Sequence, residues 1–122
     1  MTATKRQPLV ALLYSVPLLY EALVVTLDSI ADIEAFPAGR GDLTGLLRSV
    51  NPDAIVVDDA DEADEARGWA KRHQTPLVHV CLRDQKIRVL RNGDWEESAG
   101  AGAETIRNVL AGSLYGRGRD GA

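Results

Sequence analysis

An α/β fold with a largely parallel sheet is predicted by three short apolar runs, Leu9–Tyr14, Ile33–Phe36 and Ala54–Val57, each followed by a stretch whose apolar residues recur at helical spacing. Continuous apolar strands suit a sheet covered by helices on both faces. A parallel pair also needs a long crossover between its strands, which the helical stretches supply. Later the rhythm changes: only Arg83-Asp84-Gln85 separates Leu77–Leu82 from Lys86–Leu90. No crossover fits there, so an antiparallel hairpin is predicted where another helix would otherwise stand.

Each element has a local reason. After the first strand, Ser15 is expected to cap a helix whose first turn accommodates Pro17. Leu19, Leu23, Leu27 and Ile30 then mark its face, with Ala22 and Thr26 beside them. The second strand closes at the breaker Pro37-Ala38-Gly39-Arg40-Gly41. Asp42 offers an N-cap, Leu43, Leu46, Leu47 and Val50 define one helical face, and Asn51-Pro52 ends that helix because the residue before proline avoids the helical region. Asp61–His73 forms the next helix, with a narrow apolar face at Ala63, Ala66, Trp69, Ala70 and His73. The succession implies right-handed crossovers. Beyond Lys86–Leu90, Asn92-Gly93 matches a type I′ turn and returns Asp94–Glu97 as a further strand. A flexible Ser98–Gly102 stretch precedes a last helix marked by Ala103, Ile106, Val109 and Leu110.

With 122 residues, 45% hydrophobic and 26% charged, the chain fits one domain: residues 9–115, after a flexible start at 1–8 and before a disordered tail at 116–122. A net charge of −4 argues against a nucleic-acid surface. The basic residues from Lys86 to Arg91 alternate with apolar ones, as on a solvated strand face, and Arg117 and Arg119 fall in the glycine-rich tail. Lys5-Arg6 before Pro8–Leu13 resembles the start of a signal peptide, but Tyr14, Ser15, Pro17, Tyr20 and Glu21 interrupt the run and no small-x-small site follows, so no membrane association is expected. Cys81 is the sole cysteine; it can form neither an intramolecular disulfide nor a cysteine-based zinc site, and a reducing cytoplasm is the simplest compartment. No motif links His73 or His79 to each other or to Cys81, which reads as a small buried hydrophobe. Gly39 and Gly41 lack the spacing of a dinucleotide loop and read as turn residues. Neither a metal nor a cofactor is expected.

Three segments carry a family resemblance. Val16–Leu23 with Asp32-Ile33-Glu34, Pro52–Asp58, and Ala103–Gly112 together resemble the opening, the third strand and the last helix of receiver domains in LuxR/NarL-type response regulators. The resemblance implies a flavodoxin-like three-layer sandwich, with Asp58 at the phosphoacceptor position. Receivers place an acidic pair beside that aspartate to hold magnesium, an ion that demands oxygen ligands. Here those positions align with Tyr14 and Ser15, which carry no carboxylate. The hydroxyl residue ending strand four aligns with Cys81, and the lysine ending strand five has only Arg91 nearby. Asp59 and Asp61 could join Asp58 around an ion, but they read better as caps of the following helix.

The resemblance therefore implies a degenerate receiver: Asp58 a vestigial phosphoacceptor, Tyr14, Ser15, Asp59 and Cys81 the remnants of an acidic pocket, and no enzymatic activity. It implies a phosphorylation-independent signalling module. The family's DNA-binding region is not expected, so an effect on transcription would call for a partner protein in a regulatory pathway or for a lost effector domain. Loss of the fourth helix is expected to uncover apolar surface around Leu77–Leu82 and Ile87–Leu90, to be covered by a homodimer with Ile87, Val89 and Trp95 as interface candidates. The Trp95 indole could equally pack across the hairpin onto Val89 or Ile87. Two alternatives stay open: a small-molecule sensor whose pocket is lined by Tyr14, Ser15, Asp58 and Cys81, and a working phosphoacceptor at Asp58.

Overall fold

The computed structural model describes residues 7–39, 41–91, 93–99 and 102–115. The tail expected at 116–122, and all but residues 7 and 8 of the start expected at 1–8, lie outside the described residues. The chain order is β1 (Leu9–Tyr14), α1 (Pro17–Leu27), β2 (Asp32–Pro37), α2 (Leu43–Val50), β3 (Ala54–Val57), α3 (Ala60–His73), β4 (Leu77–Cys81), β5 (Lys86–Arg91), β6 (Asp94–Ala99) and α4 (Ala103–Tyr115). The strands form one mixed sheet in the order β2-β1-β3-β4-β5-β6. β1 pairs in parallel with β2 and β3, and β3 with β4; β4–β5 and β5–β6 are antiparallel.

Alternation along the strands makes two cores, one on each side of the sheet, as in a three-layer α/β sandwich. Val10, Leu12 and Val56 meet Leu19, Leu23 and Leu27 of α1 and Ile106 and Leu110 of α4. Ala11, Leu13 and Val57 meet Leu43 and Leu47 of α2 and Ala63, Ala66 and Trp69 of α3. Each fully buried leucine, such as Leu12 or Leu47, contributes about 2 kcal/mol of transfer free energy. α1 is also apolar away from the core, leaving Leu18 73% and Val25 78% exposed. Among the described residues no helix is long and apolar enough to cross a membrane.

Most helix ends follow the sequence. The Asp42 side chain accepts the Gly45 N–H at 3.0 Å to start α2, and Asn51 closes it in the left-handed region at φ 51°. Asp59 accepts the Glu62 N–H at 3.0 Å to start α3. The exception is α1. Its N-cap is Val16, without a side-chain cap, so Ser15 does not fill the role expected of it.

The stretch from β4 to β6 departs from expectation in a more telling way. β6 runs through Ser98 and Ala99, which were expected to be flexible, and Gly93 makes the turn at φ +88° while Asn92 lies outside the described residues. Most of the apolar surface expected to be uncovered is buried: Leu77, Val78, Val80 and Ile87 are 0% exposed, Val89 4% and Leu90 9%, whereas Leu82 is 39% exposed. The reason is the pleat. Ile87 and Val89 point to the α1/α4 face, where they join the core of Ile106 and Leu110, while α3 covers Leu77 and Leu90 on the other face. Ile87 and Val89 are therefore core residues of the protomer and present no surface to a second copy.

The opposite edge of the sheet is open. The N–H of Asp32 donates to Pro8 O at 2.8 Å and that of Ala38 to Tyr14 O at 2.7 Å, so the even-numbered residues of β2 turn their backbone groups toward β1. Ile33, Ala35 and Pro37 turn theirs outward, where no strand follows among the described residues. Proline, lacking an N–H, is tolerated there because that side has no ladder to complete.

Candidate functional site at the carboxyl ends of the parallel strands

Asp58 follows β3 and reaches across to the loop between β1 and α1. Its Oδ1 accepts the Ser15 N–H at 2.7 Å and the Ser15 hydroxyl at 2.9 Å, and its Oδ2 accepts the Val16 N–H at 3.1 Å. Both carboxylate oxygens thus serve to hold the start of α1, a helix with no side-chain cap of its own. Tyr14 is turned to a packing role, stacked on Tyr20 with ring centroids 5.0 Å apart. Asp59 faces the other way, spent on the first turn of α3.

This donor set does not fit a magnesium ion. A hard cation of that size needs several free oxygen ligands, whereas Asp58 stands without a second carboxylate at Tyr14 or Ser15 and its own oxygens are engaged by the chain. Among the described residues no group of three or more His, Cys, Asp or Glu side chains is arranged to hold a metal ion.

Glu62, one turn into α3, lies near this end. Its Oε2 accepts the Gly39 N–H at 2.9 Å, pinning a loop residue held at φ +85°; its Oε1 is buried without a partner. Burial, reinforced by Asp59 and Asp58 and opposed by the Gly39 hydrogen bond, raises the Glu62 carboxyl above its ordinary 4.5.

Cys81 does not join this group. It shares a face of β4 with His79, and its Sγ lies 3.6 and 3.9 Å from the two ring nitrogens. His79 is 4% exposed. Arg88, its register partner on β5, donates to Nδ1 from Nε at 3.2 Å and from Nη2 at 2.7 Å. That double donation assigns the imidazole proton to Nε2 and occupies the lone pair a base would need, so His79 is not poised to activate the thiol. Burial first, then Arg88, holds the His79 pKa below its ordinary 6.5.

Trp95 completes this second cluster. It pairs with Leu90 in register, on the face opposite Ile87 and Val89, so the indole does not pack on either. Arg88 instead places its guanidinium 4.4 Å from the ring centroid, a cation–π contact, and His79 lies 6.1 Å away. The sequence did contain the signal for this grouping: His79 and Cys81 sit two apart on one strand, the short link between β4 and β5 sets the register that adds Arg88, and the two-residue turn between β5 and β6 sets the one that adds Trp95.

The four residues expected to line one ligand pocket are therefore divided, with Tyr14, Ser15 and Asp58 around the α1 start and Cys81 beside His79. A cavity of about 540 Å³ lies elsewhere, between α1 and the β2 edge, and includes none of them. Compared with protein-family models, curated proteins and solved structures, the chain matches none.

Proposed function

We propose that the protein is a phosphorylation-independent pseudo-receiver with a flavodoxin-like arrangement, a regulatory module that acts by binding other proteins and pairs with a second copy of itself. The observation that carries the reading is the occupied carboxylate of Asp58: three donors from Ser15 and Val16 take its oxygens. Phosphorylation would cost that clamp and would place a dianion beside Tyr14 and Ser15, which carry no carboxylate to hold a neutralising cation. The strand order β2-β1-β3-β4, with helices on both faces, is the frame the receiver resemblance implies. For self-pairing, Trp95 takes the place of the buried Ile87 and Val89: it is half-buried, carries Arg88 on its face, and aromatic and arginine side chains are enriched where interfaces gain their energy.

Incubation with acetyl phosphate and magnesium followed by intact-mass measurement tests the first part. The expected result is no phosphoryl adduct; an adduct lost in Asp58→Asn would restore the phosphoacceptor reading. Light scattering at micromolar concentration tests the second, with a dimer expected and Trp95→Ala shifting it to monomer. A wild-type monomer would remove the self-pairing proposal.

A further inference from the structure

The geometry points to the open edge of β2, with the groove beside it, as a docking site for an extended basic segment of a partner protein, added to the sheet as a seventh strand. This surface lies at the far end of the sheet from Trp95, and the inference stands independently of the receiver reading.

Two separate features coincide there. The first is backbone: Ile33 and Ala35 present N–H and C=O groups outward, and among the described residues no strand lies beyond them. Such an edge is a template for main-chain pairing with another chain. The second is the groove of about 540 Å³ that runs along this edge, walled by Tyr20 and Val24 of α1 and Ile33 of β2 and lined also by Asp28, Asp32 and Glu34. Its volume falls within the range of about 300–1,000 Å³ typical of ligand clefts.

Charge selects the occupant. Three carboxylates line the groove and no lysine or arginine does among the described residues. A second copy of β2 would set Asp32 and Glu34 against their own like, which opposes self-pairing at this edge. A strand alternating lysine or arginine with apolar side chains meets both demands. One set of side chains reaches Asp32 and Glu34, and the other lies against Val24 and Ile33 with Asp28 at the end of α1 beside them.

The test uses a fluorescein-labelled peptide alternating lysine and valine, read by fluorescence anisotropy and by amide hydrogen exchange. Binding is expected, with new protection at the Ile33 and Ala35 amides. D28N/D32N/E34Q should weaken it about tenfold, while E96Q/E97Q, on the opposite edge, should leave it unchanged. Equal loss in both variants would reduce the effect to general acidity and overturn the proposal, as would undiminished binding of a peptide N-methylated on alternate residues, which cannot join a ladder. Residues 1–6 include Lys5 and Arg6 and lead directly into Gln7, which also lines the groove. Tighter peptide binding in K5A/R6A would make the chain's own start the occupant and overturn the partner assignment.

Discussion

Asp58 shows how one side chain can hold a loop that is distant from it in sequence. It joins residues 43 apart in sequence, so its position at the end of a strand was legible from the apolar run before it, whereas the loop it holds was not; a local pattern carries no trace of a distant acceptor. Asp58→Ala should cost about 1–3 kcal/mol, the usual penalty for stranding donors at a helix start, read as a lower urea midpoint at unchanged slope. An unchanged midpoint would mean the loop holds itself. Glu62 and His79 give the protein opposed responses to pH. The folded state holds the Glu62 proton more tightly than the unfolded chain, so its contribution is present below 4.5 and lost as pH rises through the raised value. Glu62→Gln, which keeps an acceptor for Gly39, should therefore be more stable than the parent at neutral pH. His79 has the reverse sign: its contribution is present above 6.5 and lost as pH falls through the lowered value. Thermal melts of His79→Gln against pH should lack that acid-side loss, since glutamine can accept from Arg88 but does not titrate.

Among the elements, α2 shows a cap and a glycine acting as a pair. A Cβ on Gly45 would run into the Asp42 carboxylate, the group that accepts the Gly45 N–H. Alanine ordinarily gains roughly 0.5–1 kcal/mol over glycine in a helix, yet Gly45→Ala should destabilise by about 1 kcal/mol through the displaced cap. In an Asp42→Ala background the same change should recover the ordinary gain, and a double-mutant cycle by denaturant titration separates the two. The hairpin is tied to α3 by Arg67, which donates to Gly93 O at 2.9 Å, and the Lys71 side chain stands where a Cβ at position 93 would crowd it. Strand and helix positions were legible because their periodicities and punctuating residues agree. The face of Trp95 was misjudged because it depends on register: pairing with Leu90 sends the indole to α3, and a shift of one residue would have sent it to Val89.

For the whole molecule, the sheet ends in two edges that carry acidic residues, Asp32 and Glu34 on β2 and Asp94, Glu96 and Glu97 on β6. Arg91 and Lys86 of β5 pair with Glu96 at 3.0 Å and Glu97 at 3.4 Å, contacts too exposed to add much stability. Like charge along an edge discourages sheet-to-sheet growth. Mass by light scattering should therefore grow when salt screens the repulsion, and a mass unchanged by salt would show that charge is not what keeps the edges apart. The antiparallel hairpin was legible in the short link at Arg83-Asp84-Gln85, but the cover of its apolar face was not, because whether a sheet face is bare depends on where the last helix returns, and α4 returns over Ile87 and Val89. Pro37 sets a final limit. The outward face of β2 offers complete donor–acceptor sets at Ile33 and Ala35 and then a ring without a hydrogen to give. A visiting strand is thereby measured against a short ruler with a fixed stop. It gains little from length, so many brief sequences would be read alike, and choice among them would fall to charge spacing alone.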